Sequence, residues 1–256
     1  MKSKIELSVV IPVYNEEELI NETIHSLKKY IPFNYEVIFV YDSDDDLTIP
    51  ILKKIKKNSS NSDIHLLKNT IFPGPSGAIR SGINKAKASN VLVTMADMSD
   101  DHSQIPLMIE LMKKGVDIVC PSRYCSGGRY ESIKIITYNK NLVPKLVGKL
   151  LVHLTGLPTY DPTNSYKLYS KKLLNSIELK SKVSFSVTLE IVAKAHCLDF
   201  NIQEIPTTWK DRISGKSNFK FFRSLIFYLP WFGISLLRGS FFALSNKKLR
   251  KWFFRP

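Results

Sequence analysis

Short apolar runs rich in β-branched residues alternate with stretches of helical periodicity through the first half of the chain. That alternation restricts the fold more than any other feature of the sequence. Leu7–Pro12 (LSVVIP) reads as a strand, and Leu19, Ile20, Ile24 and Leu27 then recur at helical spacing behind the acidic Glu16, Glu17 and Glu18. Glu36–Tyr41 (EVIFVY) reads as a second strand, a helix is predicted over 48–57, and Ile64–Leu67 reads as a third strand. A helix over 76–88 and a strand at Val91–Met95 follow. Strands joined through helices require crossovers, so the expectation is an α/β fold, Rossmann-like, with a mostly parallel sheet and helices on both faces. Such sheets bind ligands at the carboxyl ends of their strands. The acidic clusters Asp42–Asp46 and Asp97–Asp101 each follow a strand directly, and so belong on the same edge.

Beyond Asp117–Cys120 the pattern is less regular. A helix over 139–154, a strand at Ser165–Leu168, a helix over 186–195 and a run at Phe200–Ile205 are predicted. No repeat and no linker divides the chain, which suggests one domain over 1–210 and a basic, apolar tail over 211–256. The net charge of +14 is uneven. Residues 1–100 carry 12 Lys/Arg against 13 Asp/Glu, and residues 101–256 carry 25 against 10. From Arg212 onward there are ten basic residues and no acidic one, a field that attracts a polyanion.

The tail indicates which polyanion. Ser224–Leu237 is uncharged and bulky, but it is too short to span a bilayer and is interrupted by Pro230. Apolar residues bracketed by Arg and Lys suit a segment lying among anionic headgroups, and a helix buried on the domain core is the alternative. Nucleic acid is supported by charge alone and is not expected as a partner. The N-terminus enters a strand without a signal-peptide pattern, and Cys120, Cys125 and Cys197 form no disulfide framework, so a cytoplasmic location is expected.

Asp97, Asp100 and Asp101 just past a buried strand could provide the hard oxygen ligands that Mg2+ or Mn2+ takes beside a diphosphate. They could equally cap the helix that follows. Asp42 and Asp44 are placed to accept hydrogen bonds from a ribose or base, or to form a solvated loop. Gly74–Gly82 lacks the Gly-Lys-Ser/Thr ending of a phosphate loop and reads better as close packing of a helix on the sheet. Arg123 and Arg212, in loops rich in small residues, have the donor geometry for phosphate. The histidines show no zinc spacing, and no Gly-x-Ser-x-Gly elbow is present.

Together these segments resemble the family-2 glycosyltransferases of GT-A fold, and among them the polyprenyl-phosphate sugar transferases of the dolichol-phosphate mannose synthase group. The resemblance runs from Ser8 to about Asn218. Ser8–Glu16 is similar to the opening strand and nucleotide-binding turn, and Glu36–Asp46 to the strand whose acidic end holds the nucleoside. Met95-Ala-Asp97 stands at the metal-binding Asp-x-Asp, with Met95 in place of the first Asp. Ser122-Arg-Tyr with Gly127-Gly128 is similar to a phosphate-contacting segment, and Asp161–Lys167 to the acceptor-side motif. Glu204-Ile-Pro206 with Arg212…Gly215-Lys-Ser217 is similar to the late conserved-type motif of the family.

The resemblance implies an inverting glycosyltransferase that moves a sugar from a UDP- or GDP-sugar to a polyprenyl phosphate, peripheral on the cytoplasmic face of a membrane. It implies Pro12, Tyr14, Glu16, Asp42, Asp44, Lys216 and Ser217 at the donor and Asp97, with Asp100 or Gln104, at a Mg2+ or Mn2+ ion. Arg123 would meet the acceptor phosphate and Arg212 the diphosphate. An anionic phosphate acceptor needs no general base, whereas a hydroxyl of a glycolipid or polysaccharide does, and Asp161 and Glu190 are then the candidate bases. A non-catalytic nucleotide-sugar-binding protein is the further alternative that Met95 leaves open.

Overall fold

The computed structural model describes residues 5–58, 63–131, 135–211 and 225–236. The strands are β1 (Leu7–Pro12), β2 (Tyr35–Tyr41), β3 (Ile64–Lys68), β4 (Asn90–Val93), β5 (Ile118–Ser122), β6 (Arg129–Glu131), β7 (Lys167–Ser170), β8 (Ile202–Pro206) and β9 (Thr208–Lys210). The helices are α1 (Ile20–Tyr30), α2 (Thr48–Asn58), α3 (Pro75–Lys85), α4 (Ile105–Lys113), α5 (Ile135–Thr155), α6 (Lys171–Ser176), α7 (Ser186–Cys197) and α8 (Leu229–Ser235). Seven strands form one sheet in the order β3-β2-β1-β4-β7-β5-β8, and β6 pairs with β9 in a small second sheet.

Alternation along each strand divides the core in two. Val10, Ile38, Val40, Val91 and Val93 point to one face, where they meet Ile79 and Ile83 of α3, Val187 and Ile191 of α7, and Trp231 of α8. Val9, Ile11, Val37, Phe39 and Leu92 point to the other, against Ile20, Ile24 and Leu27 of α1, Leu52 of α2 and Met108 and Ile109 of α4. A strand covered on both faces is buried at every position, as β1 is, and its polar Ser8 is satisfied by donating to Glu36 Oε1 (2.6 Å). The layered α/β architecture expected from the alternation is therefore present. At Gly82 an added Cβ would lie 2.2 Å from a Val10 methyl, so α3 reaches the sheet only because that position is glycine.

Three expectations change. The strand expected at Val91–Met95 ends at Val93, because the Met95 N–H turns away to Asp100 Oδ2 (3.1 Å). The helix expected over 76–88 ends at Lys85. Glu36 Oε1 takes the Lys87 N–H (2.8 Å), and Ser8 Oγ takes that of Ala88 (3.0 Å). The strand predicted near 165–168 is shifted to Lys167–Ser170 and inserts antiparallel between β4 and β5. Among the described residues no helix is long and apolar enough to cross a membrane.

Candidate active site

The carboxyl ends of β1, β2 and β4 lie at one edge, and the first two loops there are latched together. Asp46 Oδ1 accepts the Asn15 N–H (3.1 Å) and the Thr48 N–H (2.8 Å). Asn15 Oδ1 accepts from Leu47 N (3.1 Å), and Thr48 Oγ1 accepts from Glu16 N (2.9 Å). Asn15 holds φ +53°, a left-handed turn that asparagine tolerates better than most residues. The turn leaves Tyr14 exposed beyond the end of β1, with Pro12 buried beneath it and Glu16 half-buried beside it.

Asp42 ends β2 and secures the approach to α3. Its Oδ2 accepts the Gly74 N–H (2.7 Å), and its Oδ1 accepts from Asn69 Nδ2 (2.7 Å). Asp44 instead stands in solvent, ion-paired with Lys68, and that contact holds its carboxyl below the usual range. Within one acidic cluster, then, Asp42 and Asp46 bond backbone, whereas Asp44 pairs with a surface lysine.

After β4 the chain makes a tight turn with Met98 at φ +57°. Asp100 is buried, accepts from Met95 N and from the Thr94 hydroxyl (2.8 Å), and is pushed up to about 7 by burial and then by the charge of Asp97. Thr94 Oγ1 also lies 3.1 Å from His102 Nε2, and His102 Nδ1 lies 2.9 Å from Ser26 Oγ. Burial brings the imidazole down to about 4, so it is neutral. A hydrogen-bond chain runs from Ser26 through His102 and Thr94 to Asp100, so each of these buried groups has a partner. Asp97 is half-buried, with Oδ1 on the Ser99 N–H (3.1 Å).

Across this edge, Arg123 follows β5 and is held by Asp161. Nε to Oδ2 is 2.6 Å and Nη2 to Oδ1 is 2.8 Å, a two-pronged fork, and the Arg123 N–H also reaches Oδ2 (3.2 Å). Asp161 is fully buried; burial opposes its charge, but Arg123 outweighs burial and keeps the carboxyl below its ordinary value. The fork takes two of the five guanidinium N–H groups. The guanidinium also lies over the rings of Tyr124 (5.0 Å) and Trp209 (5.9 Å), and Trp209 stacks on Tyr130 with centroids 4.8 Å apart.

Hydrogen bonds to backbone carbonyls stitch the two sides together. Lys210 N donates to Ser99 O (3.2 Å), Gln104 Nε2 to Pro206 O (2.6 Å) and Thr207 N to Ser122 O (2.9 Å). Around this seam, Ser99 Oγ, Gln104 Oε1, Tyr124 Oη and Thr207 Oγ1 are buried without a protein partner. Uncompensated buried polar atoms are costly, and each is a group that a polar ligand or water can complete.

Among the described residues no three His, Cys, Asp or Glu side chains converge on a metal position. The donor set nevertheless fits a hard divalent cation that takes one or two carboxylates and completes its shell from a diphosphate. Burial, and after it the charge of Asp97, raises Asp100, and a cation beside the pair would favour both ionised carboxylates. Gln104 contributes a buried, unpartnered carbonyl oxygen nearby on the seam.

The structure thus brings Pro12, Tyr14, Glu16, Asp42, Asp97, Gln104, Arg123 and Asp161 to this edge, and leaves Asp44 on its outer rim. Arg212, Lys216 and Ser217 lie outside the described residues, as does most of the 211–256 tail. Glu190 lies elsewhere, in α7, where it is fully buried and accepts from Lys180 N (2.6 Å), Ser181 N (2.7 Å) and Lys194 Nζ (2.6 Å). Trp209, Thr207 and Tyr130 were not singled out from sequence; the only signals were the position of Thr207 and Trp209 between the Glu204-Ile-Pro206 segment and Arg212, and that of Tyr130 just past Gly127-Gly128.

Residues 8–177 match the family described as glycosyl transferase family 2. The dolichol-phosphate mannosyltransferase of Pyrococcus furiosus is 28% identical over 240 residues, covering 90% of this chain and 65% of its own length. An uncharacterized glycosyltransferase of Bacillus subtilis is 29% identical over 189 residues, covering 72% of this chain and 56% of its own length. This chain therefore spans somewhat less than two thirds of those relatives. Glucosyl-3-phosphoglycerate synthase from Mycobacterium tuberculosis, solved with Mn2+, UDP-glucose and phosphoglyceric acid, superposes with TM-score 0.65 at 16% identity, over 91% of this chain and 81% of that one. The fold is the GT-A fold of these glycosyltransferases.

Proposed function

The chain belongs to glycosyl transferase family 2, and from that premise we propose that it transfers a sugar from a UDP- or GDP-sugar to a polyprenyl phosphate, with inversion, at the cytoplasmic surface of a membrane. Membership sets aside the non-catalytic alternative. The mannosyltransferase relative supports a polyprenyl-phosphate acceptor. The observation that carries the reading is the state of the two carboxylates offered as general bases. Asp161 has both oxygens on Arg123, and Glu190 is buried in α7 with three donors. Neither of these two is free to take the proton that a hydroxyl acceptor must lose, whereas a phosphate acceptor arrives as an anion and needs no base.

In this reading the loops bearing Pro12, Tyr14, Glu16 and Asp42 receive the nucleoside, with Asp44 at the rim. Asp97, aided by Asp100 or Gln104, holds Mg2+ or Mn2+ at the diphosphate. That ion, when bound, neutralises charge gathering on the leaving diphosphate. The guanidinium N–H groups of Arg123 outside the Asp161 fork meet the acceptor phosphate, and Asp161 fixes their direction. Arg212, Lys216 and Ser217 are assigned to the diphosphate on the sequence resemblance.

The test is a donor screen with the purified chain, Mg2+ or Mn2+, a detergent-dispersed polyprenyl phosphate and a panel of UDP- and GDP-sugars. Lipid-linked sugar from one donor is the expected result. Donor binding without lipid product, together with transfer to a glycolipid hydroxyl, would replace the phosphate acceptor.

A further inference from the structure

The loop after β4 rests on buried polar groups that the proposed reaction leaves unused. Thr94, His102 and Ser26 are all buried, and their hydrogen bonds run in one direction. The Thr94 hydroxyl has a single hydrogen and gives it to Asp100 Oδ2 (2.8 Å). Toward His102 Nε2, 3.1 Å away, the same oxygen can then only accept, so Nε2 carries a hydrogen. In the neutral ring Nδ1 is an acceptor, and the Ser26 hydroxyl donates to it (2.9 Å).

Helix α1 grips this loop twice from one face. Ser26 holds His102, and Thr23, one turn earlier on the same side of the helix, donates to the Ala96 carbonyl (2.9 Å). From the segment before β7, Tyr166 Oη donates to Asp101 O (2.9 Å), and the tyrosine ring lies 6.2 Å from the imidazole. What this frame fixes is one oxygen of one carboxylate. Asp100 Oδ2 takes both the Thr94 hydroxyl and the Met95 N–H (3.1 Å), whereas Oδ1 takes no hydrogen bond among the described residues. A carboxylate pinned by one oxygen presents the other in a set direction, which is how outer groups orient an oxygen ligand for a cation. The Met95 side chain brings no hard oxygen to this turn, and Asp97 already has Oδ1 on the Ser99 N–H (3.1 Å).

We propose that His102 and Thr94 are positioning residues for the divalent cation: they pin Asp100 by Oδ2 so that Oδ1 serves as a ligand beside Asp97, and Ser26 anchors the arrangement to α1. The inference rests on the reading of the site given above and names the groups that aim one of its carboxylates. The path from α1 to that carboxylate is unbroken, with each bond fixing the donor of the next. A histidine ring that only filled the core would be matched in shape by phenylalanine. A ring that sets the direction of the Thr94 hydroxyl would not, because phenylalanine gives that oxygen no donor.

The test is Mn2+ uptake by the full chain, alone and with UDP or GDP added, read against a protein-free blank as loss of the free-ion electron paramagnetic resonance signal. The wild type is expected to take up the ion, and Asp100→Asn, Thr94→Val and His102→Phe should each weaken uptake about tenfold or more. Thr94→Ser keeps the hydroxyl, and His102→Gln keeps an N–H toward Thr94, so both should bind within about threefold of the wild type. In sugar transfer, His102→Phe should raise the Mn2+ concentration for half-maximal rate about tenfold and change the rate at saturating Mn2+ little. Melting temperatures are read on every variant, because a purely structural role would lower them and leave Mn2+ affinity untouched. The proposal is overturned if the wild type takes up no Mn2+ with or without nucleotide. It is also overturned if Asp100→Asn, or a folded Thr94→Val or His102→Phe, binds the ion as tightly as the wild type. Uptake involves no acceptor and no transfer. A wild type that binds Mn2+ but forms no lipid-linked sugar would therefore count against the proposed reaction and leave the positioning standing.

Discussion

The two sides of the site use their charges differently. On the side formed by β1, β2 and β4, the aspartates Asp42, Asp46 and Asp100 all accept backbone N–H groups, from Gly74, from Asn15 and Thr48, and from Met95. These carboxylates shape loops. On the side formed by β5 and the segment before β7, the buried charges Arg123 and Asp161 hold each other. A carboxylate on backbone amides can be lost at the cost of a loop's conformation, because amides left behind can turn to water. A carboxylate buried on a guanidinium leaves a bare buried charge when it is lost. The second side should therefore be the more fragile, and the first the more local in its failures.

The largest effect expected from this contrast is at Asp161. Asp161→Asn should lower unfolding stability by about 3–5 kcal/mol, read from denaturant midpoints, because Arg123 is left unpaired. The pH dependence follows from the lowered pKa of Asp161. Its folded value lies below the unfolded one, so its contribution is whole above about pH 4 and fades as pH falls through the folded value. Wild type should lose stability on that acid limb, and the variant should show a flatter one. An acid limb of equal slope in both would break the contrast.

Next is Asp97→Ala, which should cut sugar transfer about 100-fold while leaving the melting temperature near that of the wild type. If the variant is fully active, Asp97 does not hold the ion. Asp46→Ala should cost about 1–2 kcal/mol, since it frees the Asn15 and Thr48 amides, and should weaken donor binding through the loosened loops. A loss as large as that of Asp161→Asn would show that the first side is not local at all. The smallest effect is at Asp44. Its ion pair with Lys68 is exposed, so Asp44→Asn should leave the denaturant midpoint unchanged. A change in donor KM alone would then assign Asp44 to binding.

The alternation of β1 to β4 with α1 to α3 was legible because strands buried on both faces leave continuous apolar runs, and helices packed on one side leave a period. The antiparallel direction of β7 was not, since Lys167–Ser170 carries the same burial whichever way it runs. The strands β6 and β9 are three residues long, too short to show any period. Sequence placed the acidic clusters on the correct edge but could not sort their members. Whether an aspartate meets a backbone amide or faces a ligand depends on loop geometry, as the opposite fates of Asp42 and Asp44 show. The Arg123–Asp161 fork joins residues 38 positions apart, and no local pattern announces such a pair.

The placement of β7 also bears on how the chain is made. Strands β3, β2, β1 and β4 pair among themselves and can form as soon as residues up to Val93 have left the ribosome. The partner that closes the outer edge of β4 is not β5, the next strand of the main sheet to emerge, but β7, which waits for Lys167–Ser170. Through that interval an apolar strand stands open to any other nascent chain nearby. The growing chain is thus most prone to aggregate midway through its synthesis, and β7, once made, fastens the early half to the late half from both sides.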